Sequence, residues 1–248
     1  MISVPAYSVF AKYYDLLMRD VDYAERARYI GDLLRRFGPV SGTVLDLCCG
    51  TGNVTYALAG LGFDMLGVDS SEEMLAQASQ KRSSGAGPAF ICQDIRELDL
   101  YGTVSAAVCA LDGFNHLLRP SDMVRAFSRA ALFLEPGGLL VFDLNSPYKF
   151  EHAFAENAYV YDENGVFCVW RNHYAPKTRL CRFDLTFFEP SGGKYLRFDE
   201  SFSERAYPTP RVNAYLAAAG LTPLAAYADL TFESASPETA RIVYVARR

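Results

Sequence analysis

Three aspartates mark the ends of three successive apolar runs: Asp46 in Val44-Leu45-Asp46-Leu47, Asp69 in Leu66-Gly67-Val68-Asp69, and Asp94 in Cys92-Gln93-Asp94-Ile95. The first run leads into Cys48-Cys49-Gly50-Thr51-Gly52-Asn53, where a strand gives way to a helix. Glycines at such a junction let a ligand approach the backbone, and the helix start adds exposed N–H groups. Many nucleotide ligands use a Gly-x-Gly turn, so the acids narrow the choice. A carboxylate at position 46 repels a pyrophosphate but receives an ammonium group, directly or through water. Asp69 can accept both hydroxyls of a ribose, and Asp94 suits an adenine amino group. Thr55 stands where the dinucleotide pattern has its third glycine, which disfavours nicotinamide and flavin cofactors. Taken singly, each aspartate reads as a helix cap. Taken as a row, they read as one ligand site.

His116 lies just past the fourth apolar run, in Leu111-Asp112-Gly113-Phe114-Asn115-His116-Leu117. An imidazole there is a candidate base or substrate ligand, with a packing role as the plainer alternative. Tyr7, Phe10 and Tyr14 share a helical face that either anchors the helix or offers aromatic rings to a cation. His152 and His173 are assigned surface roles. The spacing holds no His-Glu-x-x-His and no paired-Cys motif, so no catalytic metal is expected. The six cysteines sit mostly in apolar segments, and Cys48 and Cys49 would point to opposite faces of a strand. Reduced thiols in a cytoplasmic protein are therefore expected rather than a disulfide framework or zinc site.

The elements that position these residues follow from periodicity. Apolar and aromatic residues recur at helical spacing over 7–36, predicting two helices before the first strand. Strands are predicted at 43–48, 63–68, 89–93, 104–110 and 138–144, with helices near 53–60, 71–82, 114–118 and 121–134. Apolar strands alternating with helices mean parallel βαβ units with both sheet faces covered. After residue 150 the rhythm changes. Segments 158–162, 166–174, 179–188 and 194–204 mix aromatic, β-branched and polar residues, with turns at Glu163-Asn164-Gly165 and Ser191-Gly192-Gly193, predicting an antiparallel meander. Thr209 is expected to cap a helix at 210–219 that Gly220 ends, and strands at 223–228 and 241–246 close the chain. The cluster at 83–88 reads as a turn.

The chain has 248 residues, half of them hydrophobic and about a fifth charged, enough for one large α/β domain with an insertion. A net charge of -5 argues against a broad nucleic-acid footprint. The opening residues lack a signal-peptide pattern, and no run reaches the length of a membrane span.

The runs VLDLCCGTGNVT, GVDSSEEMLAQA and CQDIREL, with Glu135-Pro136-Gly137-Gly138-Leu139 before a strand, resemble the class I S-adenosylmethionine-dependent methyltransferases. The resemblance is tight over 40–145 and looser elsewhere. It implies a seven-stranded, mostly parallel Rossmann-like sheet with an antiparallel meander inserted after the fifth strand. The core is expected to be residues 1–149 and 209–248, and the lid residues 150–208. It implies Asp46, Gly50 and Gly52 along the methionine part of S-adenosylmethionine, Asp69 on its ribose, Ser70 and Met74 near the adenine edge, and Asp94 with Ile95 on the adenine. Phe10-Ala11-Lys12-Tyr13-Tyr14-Asp15-Leu16, Leu111–Leu117 and Phe142-Asp143-Leu144-Asn145 are similar to a small-molecule group that includes amino-sugar N,N-dimethyltransferases. That likeness implies Tyr14 beside the transferred methyl and His116 facing a small-molecule acceptor. Asn145-Ser146-Pro147-Tyr148 is similar to the Asn-Pro-Pro-Tyr of adenine and glutamine N-methyltransferases, but it follows the fifth strand rather than the fourth and reads as a hinge loop. The alternatives are an accessory cofactor-binding protein without turnover and a dinucleotide-dependent oxidoreductase.

Overall fold

A computed structural model describes residues 2–3, 7, 9–38, 40–82 and 87–248; residues 83–86 of the expected turn at 83–88 lie outside them. The elements run β1 (Ile2–Ser3), α1 (Val9–Leu17), α2 (Tyr23–Phe37), β2 (Val44–Leu47), α3 (Asn53–Gly60), β3 (Met65–Asp69), α4 (Glu72–Gln80), β4 (Ala89–Cys92), β5 (Val104–Cys109), α5 (Pro120–Phe133) and β6 (Leu134–Asn145). There follow α6 (Pro147–Lys149), β7 (Ala158–Glu163), β8 (Val166–Ala175), β9 (Leu180–Ser191), β10 (Lys194–Arg205), α7 (Thr209–Ala218), β11 (Thr222–Ala228) and β12 (Arg241–Arg247).

Seven strands form one sheet in the order β11-β12-β6-β5-β2-β3-β4. The five from β6 to β4 are parallel, and β12 runs antiparallel to both β6 and β11. Every residue of β2 and β5 is buried, because apolar cores lie on both faces: one under α2 and α3, the other under α5 and α7. Runs without alternation are what two covered faces demand. A polar carboxylate at a strand end therefore sits at a rim, where open α/β sheets bind ligands.

The predicted meander forms a second sheet, β1-β10-β9-β8-β7, antiparallel except where β1 lies parallel to β10. Asn164-Gly165 and Gly192-Gly193 turn its hairpins with φ of 48° and 81°, then 56° and 79°, the left-handed pairs that suit strand twist. Partners across a ladder share a face, so Asn172 opposite Phe183 and Phe183 opposite Phe202 point the same way, as do Trp170 and Glu204 two residues along. The two sheets are stapled by buried Asn115. Its Nδ2 donates to the carbonyls of Asn145 at the end of β6 (3.2 Å) and Arg205 at the end of β10 (2.8 Å).

Some local expectations are revised. Pro208, not Thr209, takes the cap position of α7; the Thr209 hydroxyl instead pairs with that of Tyr244 at 2.8 Å. Strand β2 ends at Leu47 and Cys48 turns with φ of 57°, so Cys48 and Cys49 lie in the turn rather than on opposite strand faces. Tyr7 precedes α1 instead of belonging to it, also with positive φ. Ser146 of the expected hinge loop accepts the amide of Lys149 and starts α6. The six cysteines are unpaired, and no described helix is long and apolar enough to cross a membrane.

Candidate active site

A cavity of about 770 Å³ opens at the carboxyl ends of β2 to β5. Asp46, Gly50, Asp69 and Ser70 line it, as do Met74, Asp94 and Ile95. Gly52 does not. It caps α3 at φ 76°, and a Cβ there would come within 3.0 Å of Phe90 and 3.1 Å of Ala78, so close packing accounts for this glycine. Gly50 differs: its φ is 54°, and nothing lies within 4 Å of a Cβ placed on it, so a side chain would enter the cavity.

Asp46 is buried and accepts the Thr55 hydroxyl at 2.5 Å. Burial raises its carboxyl to about 7, despite the Thr55 bond. Asp69 accepts one backbone N–H on each oxygen, from Gly50 at 2.8 Å and Ser71 at 2.9 Å, which leaves lone pairs on both for a diol. Its carboxyl is also raised by burial. Asp94 has a different employment. It caps a short 3-10 helix, Ile95–Glu97, and pairs with the Arg96 guanidinium, which holds its carboxyl below the usual range. Ser71 caps α4 by accepting the Met74 amide at 3.2 Å, which sets Met74 on the cavity wall.

Asp15 fastens α1 across the glycine loop. Its carboxylate accepts from Thr51 Oγ1 (2.6 Å) and Asn53 Nδ2 (2.9 Å) and pairs with Lys81 (2.5 Å). Its sequence signal is its place in the Phe10–Leu16 motif.

A second cavity of about 250 Å³ lies between the inner face of the second sheet and the rim of the first. Tyr7, Tyr14, Leu111 and His116 belong to the walls of both cavities. The two sequence candidates for chemistry, Tyr14 and His116, thus stand where the chambers meet. His116 Nε2 is 3.0 Å from the Tyr7 hydroxyl, and burial pushes the imidazole below its usual value, against the pull of Asp112 and Asp69. Burial also raises the Tyr14 phenol, so it stays protonated. Tyr7 is held by Glu200 of β10, which accepts the backbone N–H of Tyr7 and Phe10 at 3.1 Å and also that of Val9. Asp112, His116 and Glu204 bring atoms within 4.8 Å of one another, a spacing a metal ion could use. Asp112 is however salt-bridged to Arg241 at 2.6 Å, and His116 is bonded to Tyr7.

The turn that carries His116 is strained and braced. Leu111 and Asp112 both have φ of 60°, and the Asp143 carboxylate accepts both of their N–H groups at 2.8 Å. Arg241 bridges Asp143 to Asp112, and Arg26 lies 3.6 Å from Asp143 while pairing with Asp229. Gly113 fits because a Cβ there would fall 2.7 Å from Cys109 Sγ and from Cys48 Cβ. Asp143 lies in the Phe142–Asn145 motif, whereas Arg241 and Glu204 carry no local motif that sequence reading could single out.

Residues 44–138 match the family model described as a methyltransferase domain. The chain is 32% identical over 243 residues to YqeM of Bacillus subtilis, covering 98% of this chain and 97% of that one. It is 34% identical to an S-adenosylmethionine-dependent methyltransferase of Clostridium acetobutylicum of known structure, with a TM-score of 0.86 over 97% of this chain and 98% of that one. The chain belongs to the class I S-adenosylmethionine-dependent methyltransferases. This methyltransferase is also 29% identical to a dTDP-3-amino-3,4,6-trideoxy-alpha-D-glucopyranose N,N-dimethyltransferase of Streptomyces venezuelae, over 85% of its own length and 89% of the other.

S-adenosylmethionine is the cofactor of the family, and the first cavity of the methyltransferase offers a donor set that suits it. A buried acid stands by the glycine turn, a carboxylate with free lone pairs ends the next strand, and Gly50 leaves its side of the wall clear.

Proposed function

We propose that this methyltransferase moves the methyl group of S-adenosylmethionine to a nitrogen or oxygen of a small-molecule acceptor, with S-adenosylhomocysteine as product. The observation that carries this reading is the shared wall: two chambers meeting at Tyr7, Tyr14, Leu111 and His116 give one place for each reactant. Residues 150–208 serve as the lid over the acceptor. In the first chamber Asp46 takes the ammonium, Asp69 the ribose diol, and Ser70, Met74 and Ile95 the adenine region, with Asp94 holding Arg96 at its edge. The Streptomyces relative, named for an amino sugar, supports nitrogen as the methylated atom. Unpaired cysteines accord with a reducing cytoplasm.

When bound, S-adenosylmethionine supplies an electrophilic methyl whose bonding pair stays with sulfur as the new bond to the acceptor forms. The protein aligns the nucleophile and excludes water. Tyr14 stands at the junction, where its ring would attract a sulfonium, while the Tyr7 ring stacks on Phe10 and Phe202. His116, neutral at physiological pH, takes the proton the acceptor loses.

Asp69→Ala tests the cofactor assignment. Affinities for S-adenosylmethionine and S-adenosylhomocysteine should fall alike, by about 1.5–3 kcal/mol, the strength of hydrogen bonds to a charged group. Unchanged affinities by calorimetry in a folded variant would sink the ribose contact.

Asp46 gives a pH signature. An ammonium gains little from a protonated carboxyl, so binding must draw the proton from a group that titrates at about 7. Affinity for S-adenosylmethionine is expected to fall roughly tenfold from about pH 8 to pH 6, and Asp46→Asn should flatten the profile. In the free protein the sign reverses. A raised carboxyl contributes stability that is present below the unfolded carboxylate range and lost as pH rises through about 7. A wild-type affinity that ignores pH over this window overturns the contact.

A further inference from the structure

The polar groups of the second chamber describe a ligand. Asn172 is 1% exposed, and neither its amide nitrogen nor its amide oxygen has a hydrogen-bond partner among the described residues. The buried indole Nε1 of Trp170 is likewise without one. Both residues line the chamber, on the same face of the second sheet. Native interiors leave few such groups unbonded. An amide offers a donor and an acceptor together, so its complement is a hydroxyl or another carboxamide. A carboxylate only accepts, and an ammonium only donates.

Glu204 closes the other end. It is buried, lies 3.4 Å from Asn145 Nδ2 and 3.9 Å from His116 Nε2, and also lines the chamber. The nearby cations are engaged: Arg241 with Asp112 and Asp143, and Lys149 with Asn145 Oδ1 at 2.8 Å. Of the two carboxylates that line the chamber, Asp112 is paired with Arg241, whereas Glu204 has no Lys or Arg within ion-pair distance among the described residues, which leaves it for a basic ligand group. Burial also raises the Glu204 carboxyl, which readies it to share a proton with an amine. Asn172 and Glu204 are two strands and two residues apart, about 12 Å between backbones from strand spacings of ~4.8 Å and a rise of ~3.4 Å per residue. Phe183 and Phe202 lie between them.

We infer that the acceptor is a small primary or secondary amine carrying an uncharged hydroxyl or carboxamide on the far side of an apolar body. Glu204 and His116 take the amine, Asn172 and Trp170 take the polar group, and Phe183 and Phe202 flank the body. This assignment rests on the methyl-transfer reading, which makes the chamber an acceptor site.

The test is calorimetry on the full chain saturated with S-adenosylhomocysteine. The probes share one amine: benzylamine, meta-(aminomethyl)phenol, meta-(aminomethyl)benzamide and meta-(aminomethyl)benzoate. The phenol and benzamide should bind about tenfold more tightly than benzylamine, as one well-made buried hydrogen bond allows. The benzoate should gain nothing. In Asn172→Leu the preference for the phenol and benzamide over benzylamine disappears. Because that change removes an unbonded buried amide, the variant should melt no lower than wild type. Asn172→Ser should lose the preference as well, and Glu204→Gln should weaken all four probes. The inference is overturned by equal binding of benzylamine and benzamide to wild type, by a preference that survives both Asn172 changes, or by failure of every probe to bind. If S-adenosylhomocysteine itself does not bind, it is the methyl-transfer reading that fails.

Discussion

Replacing His116 by Asn should leave cofactor affinity nearly intact and lower turnover by ~10²–10⁴-fold, the usual contribution of general acid–base catalysis. The side chain stands at the junction of the two chambers, 3.0 Å from the Tyr7 hydroxyl and 3.9 Å from Glu204. Asn can keep a hydrogen bond to Tyr7 but cannot take a proton. The sign of the pH effect follows from burial, which favours the neutral imidazole. Wild-type turnover should hold through neutral pH and fall only in acid, as pH drops below the ordinary histidine value, and the variant should lack that limb. Tyr14→Phe should cost less, because the ring is retained. Single-turnover rates across pH decide the matter. Matching rates and profiles for wild type and His116→Asn would remove His116 from the mechanism.

Arg241→Met should cost about 3–5 kcal/mol of folding stability, the range for breaking a buried ion pair from one side. The guanidinium is almost wholly enclosed and joins Asp143, 3% exposed, to Asp112. Without it, the buried Asp143 and the half-buried Asp112 lose their main counter-charge. Arg26, 3.6 Å from Asp143, compensates for only one of them. Against the burial that pushes it up, Arg241 holds the Asp112 carboxyl below the usual range. That stabilisation is present above the unfolded carboxylate range and lost as pH falls through the folded value, so the deficit of the variant should shrink in acid. Urea unfolding at neutral and acidic pH measures both. A loss within ~0.5 kcal/mol, the ordinary scatter of surface substitutions, would show that the bridge matters little.

The parts legible in the sequence are those whose physics is local. Asp69 ends an apolar run and Asp46 sits just inside the end of another, so their strands and the cavity they share could be read together. The meander was announced by alternation and by Asn164-Gly165 and Gly192-Gly193, which suit left-handed turns. Asp94 shows the limit of such reading. It lines the cavity, and Arg96, two residues on, pairs with its carboxylate, a contact that the strand-end position does not reveal. Glu204 and Asn172 were out of reach for another reason. Both sit on long strands where polar and aromatic residues alternate, and only the pairing of β8, β9 and β10 turns them to one side. Tyr7 and His116, 109 residues apart, meet only in the folded chain.

The anchoring of α1 has a consequence for how the chain becomes active. Asp15 ties the helix to the glycine loop near its own end of the chain, but its amino end is bound by Glu200, 190 residues beyond Phe10. Contacts of such long sequence separation form late, since loop closure must precede them. On the ribosome, the Tyr7 N–H has no Glu200 carboxylate to bind until residue 200 has emerged. The brace from Arg241 comes later still. The wall common to both chambers is thus set only once residues 200 and 241 are in place, and a nascent chain with its first βαβ units folded cannot yet hold donor and acceptor side by side.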